Sequence, residues 1–176
     1  DGGVGGLVGS NIGFVMNSFW NIETSGLSNG IGWGDVLSSG VAGKTTEEMQ
    51  MESTYVGWKC SDFWVIDEGN DYPRLVWENK PGLPITIPHY GGGSGEPDDP
   101  YLIYTAEQFN SIGVTYCDFD ACFKLMADID IGIYTGKQFN IIGLESMRFR
   151  GVFEGNGHTI SNFTYPENRF YLGLFG

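Results

Sequence analysis

Over residues 1–43 a glycine recurs every few positions and cuts the apolar pieces Leu7-Val8, Ile12, Phe14-Val15-Met16 and Phe19-Trp20 into short fragments. A globular strand rarely tolerates that spacing. A chain that turns a corner every few residues does, because corners favour Gly or Asn in left-handed conformations. The pattern predicts stacked, tightly cornered β-structure. Two echoes point to repetition. Gly6-Leu7-Val8-Gly9 matches Gly173-Leu174-Phe175-Gly176, and Phe109-Asn110-Ser111-Ile112-Gly113 matches Phe139-Asn140-Ile141-Ile142-Gly143 thirty residues later.

Glycine supplies 28 of 176 residues, against roughly 7% in average proteins, with no Gly-X-Y period. Aromatics make up 15% of the chain, too many for a disordered sequence. The net charge of −13 argues against nucleic acid and anionic membrane surfaces as partners. No apolar run approaches the ~20 residues of a membrane-spanning helix.

Residues 44–78 differ in character. Thr45-Thr46-Glu47-Glu48 is a capping box that predicts a short helix over roughly 46–51. Phe63-Trp64-Val65-Ile66 and Leu75-Val76-Trp77 read as aromatic strands around the turn Asp67-Glu68-Gly69-Asn70-Asp71. With Trp58 they predict an aromatic module closing the array before it. Residues 79–100, rich in Pro and Gly, predict a linker without a core that proteases cut first. From 101 the pattern restarts, with strand Tyr101–Tyr104, a second capping box at Thr105–Gln108, a helix ending at Gly113, and strands over 123–127 and 128–131. In 149–163, Phe149, Val152, Phe153, Ile160 and Phe163 are expected to point inward, with a corner at Gly155-Asn156-Gly157.

The string G-G-L-V-G-S-N-I-G-F-V-M-N-S-F-W resembles the GLUG-motif repeat of large bacterial surface proteins. D-E-G-N-D-Y-P-R-L-V-W-E at 67–78 resembles the module that ends such arrays. T-A-E-Q-F-N-S-I-G at 105–113 and F-E-G-N-G-H-T-I-S-N-F at 153–163 resemble the opening of the next array. The resemblance implies a right-handed parallel β-helix: the end of one array over 1–43, a closing module over 44–78, a linker over 79–100 and a second array over 101–176. It implies an extracellular structural protein, adhesin-like, and carries no catalytic residues. The ends fall inside the repeat pattern, which leads to the expectation of head-to-tail stacking of copies into a filament; a fragment with arbitrary ends is the competing reading.

The chemistry-bearing residues are sparse. No zinc spacing links the three cysteines. Cys117 and Cys122 bracket a loop long enough for a disulfide, which would leave Cys60 unpaired. Asp67, Asn70 and Asp71 form the nearest match to a calcium turn, and Asp98 and Asp99 lie in a second acidic cluster; a solvated acidic loop is the competing reading of each. Calcium is accordingly the one cofactor considered. Asp118, Asp120, Asp128 and Asp130 are further acids. His158 has Glu154 close in sequence as a catalytic partner, against the competing reading of a corner histidine bonded to its own turn, and His89 sits in the linker. Asn162-Phe163-Thr164 is a glycosylation sequon. Three functions follow: a structural segment without enzymatic activity, a carbohydrate-binding adhesin module, and a polysaccharide lyase or hydrolase. The last lacks a basic site beyond Arg148 and Arg150 and lacks a motif that selects a carboxylate pair.

Overall fold

The computed structural model describes residues 3–34, 37–86, 90–136, 138–143, 147–165 and 173–176. The chain divides into two compact units, residues 1–87 and 88–176.

In the first unit, β1 (Val8–Ser10) and β2 (Phe14–Asn21) are followed by a single helical turn, α1 (Ile22–Ser25), then by β3 (Ile31–Trp33) and β4 (Leu37–Lys44). β1 pairs with β3 and β2 with β4, both in parallel. Phe14 lies beside Leu37 and Asn21 beside Lys44, and the same separation of 23 residues brings the Thr46 N–H to the Glu23 carboxylate. Asn17 and Gly40 occupy equivalent places in the paired strands, and both have positive φ, 43° and 62°. A left-handed residue thus bends both strands at one point.

Close approach explains more of the glycines than corners do. The Trp20 indole is only 8% exposed. A Cβ on Gly6, Gly30 or Gly43 would collide with its ring. The indole N–H donates to the Leu27 carbonyl at 2.9 Å, so the one polar atom of the wedge is satisfied. The glycines clear room for one large side chain between two passes of backbone.

The Thr45–Glu48 capping box forms reciprocally, at 3.1 and 2.9 Å, but opens only a 3-10 turn, Glu48–Gln50. A kinked 3-10 segment, Glu52–Cys60, comes next. β5 (Trp64–Ile66) then pairs antiparallel with β6 (Arg74–Leu75) and β7 (Leu83–Pro84). The expected strand at Leu75–Trp77 is cut short, because Val76–Glu78 form a 3-10 turn. Tyr55, Ile66 and Ile85 make the core here, with Phe19, Trp58 and Trp64 against it. Phe19 comes from β2, so the aromatic module packs on the strands that precede it.

The second unit contains β8 (Tyr101–Ile103), α2 (Ala106–Ile112), β9 (Cys122–Leu125), β10 (Ile129–Asp130), β11 (Val152–Glu154) and β12 (Ile160–Ser161). The Thr105–Gln108 capping box forms, and the helix ends at Gly113, as expected. The parallel sheet has the order β11-β9-β8, and β10 pairs with β12. Phe109, Ile112, Phe123, Leu125, Ile131 and Ile142 are among the most deeply buried residues. The thirty-residue echo has a physical basis. The Asn140 N–H donates to the Asn110 side chain at 2.7 Å across 30 positions, and the rings of Phe109 and Phe139 lie 5.6 Å apart. The corner at 155–157 is present, with Asn156 and Gly157 at φ 48° and 78°. Phe149, Phe153, Ile160 and Phe163 pack on the core, whereas Val152 faces solvent.

Two expectations are corrected. The fold is not a parallel β-helix. Among the described residues the sheets are separate sets of two or three strands, none closed, one antiparallel, with helical segments between them. The architecture is mixed small α/β. Most strands span two to four residues, and the 3-10 segments of 48–60 break the stack before it can propagate. The segment 79–100 is also more than an unpacked linker. Leu83–Pro84 is a strand, Ile85 and Tyr90 are 4% and 7% exposed, and the Ser94 and Gly95 N–H groups both donate to the Asp99 carbonyl.

Candidate functional site

The acidic turn at 67–71 is closed by its own bonds. The Asn70 amide donates to the Asp67 carboxylate at 3.1 Å, and the Asn70 and Asp71 N–H groups donate to the Asp67 carbonyl. Asp71 receives the Tyr72 N–H at 2.8 Å and pairs with the Arg74 guanidinium at 3.0 Å. These two donors, the amide first, hold its carboxyl below the usual carboxylate range. Asp98 and Asp99 sit exposed in a small loop. Among the described residues no three His, Cys, Asp or Glu side chains converge in a way that could hold a metal ion.

The cysteine pairing differs from the expected Cys117–Cys122 bridge. Cys122 is a half-buried free thiol in β9, and Cys60 and Cys117 are both disulfide-bonded. A loop of suitable length permitted the first pairing but did not require it. His158 lies 3.4 Å from the Asp128 carboxylate, which also accepts the Thr159 N–H at 2.8 Å, so this histidine belongs to the structure of its own corner. Arg148 and Arg150 are exposed. His89 is outside the described residues.

Asn162 is exposed and donates its amide to Asp130 at 2.9 Å. The Gly132 N–H first, and this amide second, hold the Asp130 carboxyl low. Asp130, Gly132, Ile133, Asn162 and Thr164 line a shallow open depression of about 500 Å³. Its carboxylate is already occupied by two donors, which leaves little there to activate a substrate.

Asp118 is 7% exposed and accepts the Tyr90 hydroxyl at 3.0 Å. Burial, and after it this carboxylate, pushes the Tyr90 phenol far above its ordinary range. Burial raises Tyr55, Tyr101 and Tyr134 as well. A phenol raised in the native state stays neutral where the unfolded chain, at about pH 10, already ionises. That stability is fully present below pH ~10 and is lost as pH climbs through the native values. Thermal melts should therefore fall steeply above that pH. A phenolate absorbance titration should show Tyr55 and Tyr90 ionising only as the chain unfolds; smooth titration of every tyrosine in a folded chain would refute their burial.

The tryptophans separate into two groups. Trp58 and Trp64 lie with ring centroids 4.2 Å apart and planes tilted by 40° in the aromatic core, as expected of a closing module. Trp33 and Trp77 are 62% and 61% exposed, against that expectation. Trp77 is accompanied by Phe63, itself 58% exposed, with ring centroids 6.1 Å apart and planes tilted by 60°. Phe63 sits in the turn just before β5, and Trp77 in the 3-10 turn Val76–Glu78, so neither ring is carried inward by a strand.

No family model, curated protein or solved structure matches the chain. Among the described residues no helix is long and apolar enough to cross a membrane, and the disulfide-bonded cysteines are compatible with an extracellular protein.

Proposed function

We propose that this chain is a non-catalytic structural segment of an extracellular or surface-displayed protein that associates with further copies of itself. The observation that supports this most is where the polar side chains are spent. In the second unit Asn110, Lys124, Asp128, Asp130 and Asn156 reach across to a neighbouring pass of chain rather than into a shared cleft. Asn110 accepts from Asn140, Lys124 pairs with Glu154 at 3.1 Å, and Asp128 and Asp130 accept from Thr159 and Asn162. Asn156 donates to the Leu125 carbonyl at 3.1 Å. Such bonds fix the lateral register of a scaffold.

The disulfide-bonded cysteines support placement outside the cell. Self-association is supported by β11. It pairs with β9 on one side only among the described residues and exposes Val152, and an edge strand is a template for another chain. Light scattering and negative-stain microscopy of the oxidised chain test the reading. Concentration-dependent elongated assemblies are expected. A monomer at every concentration, or turnover of a polysaccharide, would overturn it.

A further inference from the structure

We infer that Phe63 and Trp77 form a stacking site for the neutral pyranose units of a polysaccharide. The inference stands apart from the self-association just described, since it uses neither β11 nor the second unit.

Phe63 and Trp77 are two large rings, each more than half exposed, that lie side by side on the surface. They are not loose. The Val76 N–H donates to the Phe63 carbonyl at 2.9 Å, and the neighbouring Trp64 pairs with Leu75 in the sheet. The turn carrying Trp77 is tied by the Leu75 N–H to the Glu78 carboxylate at 3.0 Å and ends at Asn79, whose φ is 53°. The backbone beneath both rings is therefore set before any ligand arrives, which lowers the entropic cost of binding. The rings are tilted by 60° and each stays more than half exposed, so apolar surface of both remains open.

The adjoining residues are polar. Asp62 and Glu78 are next in sequence to the rings, with the Glu78 carboxylate held by the Leu75 N–H. Arg74 is held by Asp71 at 3.0 Å and lies 3.9 Å from Glu78. An apolar face bordered by hydrogen-bonding groups suits a ligand with one C–H face and a rim of hydroxyls, which is the chemistry of a pyranose. Charge selects among such ligands. The chain carries −13, so uronic or sulfated sugars are repelled by its overall field and neutral ones are not. Trp33 is as exposed, yet it has no aromatic neighbour among the described residues, and it serves as the internal control.

The test is affinity electrophoresis of the oxidised full chain in gels containing a neutral β-glucan, mannan or xylan, with alginate and polygalacturonate as acidic counterparts. At least one neutral polymer should retard the chain, and the acidic ones should not. Trp77→Ala and Phe63→Ala should each weaken retardation by about tenfold, and Trp33→Ala should leave it unchanged. Because both rings are exposed, these variants should melt close to the parent, which separates lost binding from lost fold. The proposal is overturned if no neutral polymer binds, if Trp77→Ala binds as well as the parent, if Trp33→Ala loses as much, or if the acidic polymers bind better. Loss of monodispersity in the parent that Trp77→Ala cures would assign the patch to protein contact and would likewise overturn it.

Discussion

Replacing Trp20 with alanine should lower the stability of the first unit by about 3–5 kcal/mol, among the largest effects expected of any single substitution in this chain. The indole fills the space between two passes of backbone that three glycines hold open. No side chain on Gly6, Gly30 or Gly43 can move in to refill it. The Leu27 carbonyl also loses its donor. The reciprocal change, Gly30→Val, places branched carbons where the ring already lies and should cost about 1–3 kcal/mol through overpacking. Denaturant midpoints at constant m-value measure both. A loss below about 1 kcal/mol for Trp20→Ala would mean that the glycines serve turns and not a packed ring.

Phe109→Ala should destabilise the second unit by a similar ~3–5 kcal/mol. Phe109 is fully buried, 5.6 Å from the ring of Phe139 and 5.5 Å from that of Phe153. It joins helix α2 to two later passes of the chain. Because a domain of this size has only about 5–15 kcal/mol in hand, the variant should sit near its folding limit at ambient temperature. Phe109→Leu keeps most of the volume and should recover about half of the loss; no recovery would indicate that aromatic contact geometry, not filled volume, is what matters.

The sequence made local features legible where one short motif settles its own geometry. The Thr105–Gln108 box predicts a helix start because each partner satisfies the other's backbone, and nothing distant alters that. Asn156-Gly157 predicts a left-handed corner for the same reason. The echo of 109–113 at 139–143 was visible because the contact between Asn110 and Asn140 uses the same residues twice. The pairing of β2 with β4 was hidden, since the backbone register sets Phe14 beside Leu37 and Trp20 beside Gly43 with no shared identity. Only once that offset is known do Gly6, Gly30 and Gly43 become the walls of one site. Without it the glycines read as corners, and corners read as a continuous stack. The closing module misled in a second way. Its capping box is real, but the residues after it favour 3-10 turns and an antiparallel sheet, which end lateral stacking.

The candidate sites followed the same division. The acids at 67–71 resemble a calcium turn by composition, yet Arg74 three positions on already neutralises Asp71, a local pairing that sequence could have flagged. The cysteines offered no such clue, because loop length limits which bridge can form without choosing one. Exposure of Trp77 beside Phe63 depended on Val76–Glu78 forming a 3-10 turn where the sequence reads as a strand.

Amide hydrogen exchange reads out whether the glycine-rich first segment is ordered by passes of chain lying side by side in a fixed register. Slow exchange is expected in residues 14–21 and 37–44 together, since among the described residues these two strands form one two-stranded sheet, and separately in 122–125, which lies between two neighbours. Trp20→Ala should release 14–21 and 37–44 to the same extent and leave 122–125 protected. Exchange of 14–21 at the rate of an unstructured peptide while 37–44 stays protected would contradict the register and, with it, the account of why this chain carries so many glycines.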